Sequence, residues 1–89
     1  MSAPLFAAER REARILARRA VGRVFIAHFG RGPRRGEPLY SLDTAARLAL
    51  VADVERQLGV IFTDEDIEFA ETEGDLAERG AMALMRRDA

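Results

Sequence analysis

The chain has no cysteine, no lysine and no tryptophan, and only one tyrosine and one histidine in 89 residues. Without cysteine there are no disulfides, thiolate metal sites or cysteine nucleophile, which suits a reducing compartment. A single histidine leaves no second imidazole for a zinc site of His and Cys ligands, and no Ser-His-Asp grouping is recognisable. No apolar run approaches the roughly 20 residues that span a bilayer, and Met1 to Phe6 is too short for a signal peptide. The expectation is a cytoplasmic protein that is not an enzyme.

What is present is arginine. All fourteen cationic side chains are arginine, nine of them within residues 1–36 against only Glu9 and Glu12; residues 37–89 hold five against thirteen carboxylates. The net charge of -1 therefore conceals a strongly polarised molecule. A GC-rich genome is sufficient to favour arginine over lysine, but arginine also pairs bidentately with carboxylates and phosphates. Nearly half of the residues are apolar and a third are charged, the balance of a globular domain. A chain this short forms one domain, residues 1–89, with a small core.

Periodicity predicts helices. From Pro4 to about Phe29 the chain reads as one long helix or two shorter ones, weakened in the middle by Gly22 and stopped by Gly30. Ala13, Leu16, Ala20, Val24 and Ala27 form an apolar stripe at three- and four-residue steps, and Arg10, Arg14 and Arg18 a basic one. Val24, Phe25, Ile26 and Phe29 make the end of this helix apolar over most of its circumference, which predicts burial on more than one side. The segment RGPRRGEP that follows, with three arginines, two glycines and two prolines, is a loop.

A second helix is expected from near Asp43 to about Leu58. Asp43 or Thr44 caps it, Ala45, Leu48, Leu50, Val51, Val54 and Leu58 form its apolar face, and Gly59 stops it. Val60 to Phe62 is a packed linker or a single strand. Thr63 with Asp66, and Thr72 with Asp75, have the spacing of capping boxes with the shorter acid. They open a brief helix to about Ala70 and a last amphipathic one carrying Leu76, Ala77, Ala81, Leu84 and Met85. The fold class is all-α: a small bundle of long helix, long loop, helix, short helix and helix.

Certain residues go further than periodicity. Leu42-Asp43-Thr44-Ala45 opens the second helix, Leu58-Gly59-Val60 closes it about fourteen residues after Thr44, and Glu55 lies near its end. Downstream come Phe69 and Thr72-Glu73-Gly74-Asp75-Leu76-Ala77-Glu78. Over residues 38–86 these segments resemble the acyl and peptidyl carrier protein family. There the central helix opens with Asp-Ser-Leu and the last helix with a T-V-G-D-L-A segment.

The resemblance implies an acyl-carrier-like helical bundle serving fatty-acid, polyketide or peptide assembly by docking to biosynthetic enzymes. It also implies an attachment position for 4'-phosphopantetheine at Thr44, where the family carries a serine. Ser41 is the alternative position, although its spacing to Leu58 is three residues too long. Thr44 adds a methyl to the carbon bearing the hydroxyl and is stiffer at χ1, so a transferase pocket shaped around serine handles it poorly. The resemblance thus implies either a modified carrier or an arm-less docking protein. Asp43, Ala45 and Arg47 on the second helix, with Arg14 and Arg18 on the first, are the expected partner-binding residues. Ala45 replaces the family's leucine, and Arg47 stands on a helix that is normally acidic.

Blander readings accompany these. Asp43-Thr44 and Thr72-Asp75 are adequate as helix caps alone. Asp64, Glu65, Asp66 and Glu68 lack the spacing of a calcium loop and read as a solvated helix N-terminus. His28 reads as a packed or surface side chain, and no metal site is expected. The alternative function is an arginine-rich module gripping nucleic acid or an anionic membrane surface. Against it stand an acidic pI of about 5.8 and the lack of stacking aromatics among the arginines. An extended first helix with exposed apolar residues would favour a homodimer.

Overall fold

The computed structural model describes residues 3–88, with side chains from Ala8 onward. The expectation about Met1 to Phe6 concerns residues whose side chains lie outside that description. Four helices form an all-α bundle: α1 (Ala3–Phe29), α2 (Thr44–Leu58), α3 (Asp64–Glu68) and α4 (Glu73–Arg87). Helix α1 is continuous through Gly22 for 27 residues and sets the long dimension of a body of 42 × 25 × 20 Å. None of these helices is long and apolar enough to cross a membrane.

The helix ends fall where the caps place them. Gly30 (φ 74°) and Gly59 (φ 65°) adopt the left-handed conformation that ends α1 and α2. Thr63 and Thr72 accept hydrogen bonds from the amides of Asp66 and Asp75, whose carboxylates bond back to the threonine amides, so both capping boxes are complete. The expected brief helix ends earlier than Ala70, at Glu68. Val60 to Phe62 is a linker rather than a strand: Val60 and Phe62 are buried, while Ile61 between them is 85% exposed.

The core is assembled on α1, which packs mainly on α4 and then on α2. The buried stripe of α1 is Ala13, Ala17, Ala20, Val21, Val24 and Phe25, so the expected members Leu16 and Ala27 are displaced outward. Ile26 and Phe29 are likewise exposed, which overturns the expectation that the end of α1 is buried on several sides. In α2, Leu50, Val51, Val54 and Leu58 face inward, whereas Ala45 and Leu48 are exposed. The stripe on α4 holds as expected for Leu76, Ala77, Ala81 and Leu84, with Met85 at its margin.

The reason lies in size. At Gly80, an added Cβ would stand 3.0 Å from Leu58 Cδ1 and 3.3 Å from the Ala17 Cβ, so α4 approaches both neighbours through small residues. A face built from Ala13, Ala17 and Ala20 permits that approach. A face containing Leu16 does not.

The acidic cluster is also not uniformly solvated. Asp66 is buried to 2% exposure and is the only buried charged residue described, lying 2.6 Å from Arg86 Nη2 and 3.5 Å from Arg79 Nη1 of α4. Burial pushes its carboxyl pKa upward. The Thr63 amide, Arg86 and the Thr63 hydroxyl outweigh that effect, and the net shift is downward. Arg87 crosses to donate to the carbonyls of Leu58 (2.9 Å) and Gly59 (3.4 Å), placing a cation at the negative end of α2.

Two predictions follow from this packing. Asp66→Ala removes the N3 half of a capping box and strands two partly solvated guanidiniums, and should lower unfolding free energy in urea by about 2–3 kcal/mol. Alanine at Gly22 and at Gly80 brings the same gain in helix propensity but meets different surroundings. Gly22→Ala, with no atom within 4 Å of the new methyl, should stabilise by about 0.5–1 kcal/mol. Gly80→Ala should show no such gain, and Gly80→Val should destabilise by about 2 kcal/mol. Equal effects at the two glycines would contradict the close approach of α4.

Candidate attachment and docking site

The site begins in the loop before α2. Arg31 grips Glu37 bidentately, Nη1 to Oε1 at 2.8 Å and Nη2 to Oε2 at 2.7 Å, closing a ring around the glycines and proline between them. The Arg34 amide donates to Glu37 Oε1 (2.9 Å), and the Glu37 amide returns to the Arg34 carbonyl (2.9 Å) with Gly36 at φ 73° in the turn. The Arg31 guanidinium, followed by the Arg34 amide, lowers the Glu37 carboxyl pKa to about 2.

A backbone clasp then ties the loop to α4. The Leu39 amide donates to Glu71 O (2.8 Å) and the Glu73 amide to Glu37 O (2.9 Å), forming an isolated antiparallel bridge between Pro38 and Thr72. The Gly36 amide adds a bond to Glu73 Oε1 (3.0 Å), and Leu39 is fully buried. What reads in sequence as a featureless loop is thus fixed at both ends of its arginine-rich stretch.

The clasp delivers the chain to the start of α2. Leu42 N bonds to Leu39 O (3.0 Å), and the Ser41 hydroxyl donates to Pro38 O (3.1 Å), so Ser41 serves a turn. Asp43 is the N-cap: its Oδ1 accepts the Ala46 amide at 2.7 Å. Thr44, the first helical residue, is exposed, and its hydroxyl has no hydrogen-bond partner among the described residues. With the Asp43 oxygen committed to capping, Thr44 is presented rather than activated.

Beyond Thr44, the outer side of α2 carries exposed Ala45, Leu48 and Ala49, half-buried Ala52 and exposed Arg56. This face is apolar, whereas Arg47 lies half-buried toward the bundle. At the far end, Glu55 Oε2 accepts the Phe62 amide at 2.8 Å and so fixes the linker that exposes Ile61. The sequence pattern gave no signal for Glu55 in that role.

The arginines expected to bind partners stand elsewhere and apart. Arg14 Nε is 3.0 Å from Glu78 Oε1, an ion pair between α1 and α4. Arg18 and Arg35 of the loop line an open groove of about 700 Å³ together with Val21, Pro33 and Glu73. His28 Nε2 lies 2.5 Å from Asp53 Oδ2, joining α1 to α2, and Arg56 also contacts Asp53. Among the described residues no three His, Cys, Asp or Glu side chains are grouped to hold a metal.

The Glu37 carboxyl fixes a pH dependence. Because its folded pKa is depressed, its contribution to stability is complete above the ordinary value of 4.5 and disappears as pH falls through about 2. Glu37→Gln should therefore flatten the loss of thermal stability between about pH 4.5 and pH 2; the same acid profile in both proteins would rule out the Arg31–Glu37 clamp as a contributor. No protein-family model matches this chain, and neither do any curated protein or solved structure.

Proposed function

We propose that this protein is an acyl-carrier-like docking protein of fatty-acid, polyketide or peptide assembly that works without a phosphopantetheine arm. The observation that carries the reading is Thr44. It occupies the first turn of a capped helix, exposed and unbonded, after a turn that uses up the hydroxyl of Ser41. The element order supports the same reading: long helix, long loop, central helix, short helix and last helix, with the two threonine capping boxes at the start of the last two.

An arm-less function follows from the chemistry of the position. The threonine methyl crowds the oxygen that would attack coenzyme A, and χ1 is held more tightly than in serine. The Thr44 hydroxyl makes no hydrogen bond to a base among the described residues. Recognition then falls to surfaces: the apolar outer side of α2 with Tyr40 and Ile61, which are 71% and 85% exposed, and the basic side of α1.

The test is the intact mass after incubation with coenzyme A and a broad-specificity phosphopantetheinyl transferase, with fragmentation to locate any adduct. The wild type should stay unmodified, and Thr44→Ser should gain an arm on the new serine while a standard carrier is modified in the same tube. An arm on wild-type Thr44 or Ser41 would make it a working carrier. Failure of Thr44→Ser beside a modified standard would remove the carrier-like reading.

A further inference from the structure

We propose that the outward face of α1 docks an acidic amphipathic helix of a partner protein, crossing α1 over Gly22. At about 100° per residue, Ile15, Gly22 and Ile26 point away from the buried stripe of Ala13, Ala17, Ala20 and Val24. Ile15 and Ile26 are 49% and 58% exposed, as is Leu16 at 51%. The two isoleucines, about 16 Å apart along the helix, share one line with Gly22 and with Arg19, and Leu16 stands further round the helix beyond Glu12 and Arg23.

Gly22 between them has no role inside the bundle. An interior glycine weakens a helix relative to alanine, and here no atom lies within 4 Å of where a Cβ would stand. The fold gains nothing from the missing side chain. What the glycine leaves is a notch between two isoleucines, the form in which one helix backbone comes close to another.

Charge selects the occupant. Arg19 lies on this line between the isoleucines, Arg11 and Arg23 border it, all three are exposed, and none has a partner among the described residues. Glu9 and Glu12 are the only carboxylates on the helix. A second copy of the same face would oppose arginine with arginine. Nucleic acid offers nothing apolar for Ile15 and Ile26 on this line, and a lipid surface has no use for a backbone notch. A helix with small or aliphatic residues opposite Ile15, Gly22 and Ile26, and Glu or Asp opposite Arg19 and at its margins, satisfies all three features. This surface is separate from Thr44, so the inference holds whether or not an arm is attached.

The probe is a synthetic helical peptide of about 20 residues, with alanine and leucine on one face bordered by glutamates, titrated into the full chain by fluorescence anisotropy. Binding should be saturable, weaken with salt and vanish for a peptide with glutamine in place of glutamate. Gly22→Leu fills the notch into open space and should fold normally by circular dichroism while weakening binding by about tenfold or more. Arg19→Gln with Arg23→Gln should do the same. No binding by the acidic peptide, or undiminished binding by folded Gly22→Leu, overturns the proposal. So does a wild type that sediments as a dimer broken by Ile15→Asp. Binding to phosphatidylglycerol vesicles that Gly22→Leu leaves intact would reassign the face to a lipid surface.

Discussion

The close approach of α4 to α1 is the constraint on which the bundle depends. Gly80 sits against Ala17 and Leu58 with less room than a methyl group needs, and the alanines of α1 keep that seam narrow. In a small domain the apolar area available is limited, so a thin seam of small side chains leaves stability to a few larger ones. Phe25, Leu39, Leu50 and Leu76 fill the centre. The narrow seam also rotates α1, turning Leu16 and Ile15 to solvent and leaving apolar side chains that the bundle itself never covers.

Polar contacts hold the connecting segments to this core. Asp66 belongs to a capping box and to an ion-paired group with Arg79 and Arg86, so one buried carboxylate fixes both the start of α3 and its place against α4. Glu37 does comparable work in the long loop through Arg31 and the Arg34 amide. A buried carboxylate is tolerated only when its lone pairs are met, and Asp66 meets its own with an amide and two guanidiniums. Several of the arginines that make the sequence look like a phosphate binder are thereby committed inside the molecule. Arg14, Arg31, Arg79, Arg86 and Arg87 all have partners within the chain.

This sorting of arginines separates scaffold from surface. The paired ones tie helix to helix or close a loop, while Arg11, Arg19 and Arg23 remain on the outer side of α1. Thr44 and the apolar side of α2 lie on a different element, reached through the loop that the Glu37 clamp and the Pro38–Thr72 bridge hold in place. The protein thus offers two distinct faces, the apolar side of α2 and the side of α1 on which exposed isoleucines and arginines are mixed.

The sequence by itself determined where most helices begin and stop, because caps and stops act within a few residues of chain: Thr63, Thr72, Gly30 and Gly59 behave as local chemistry dictates, while the choice of Asp43 over Thr44 as cap, the continuity of α1 through Gly22 and the end of α3 at Glu68 came from the structure. It also placed Thr44 at a helix start and made α4 amphipathic with the correct inward face. Only the tertiary structure decided which side of α1 is buried, since Leu16 and Ala17 fit a helical period equally well and the width of the seam at Gly80 chose between them. It alone buried Asp66 and pinned the arginine-rich loop to α4. Those outcomes rest on contacts between residues distant in the chain, Asp66 with Arg86 and Glu37 with Glu73, for which a local pattern carries no signal.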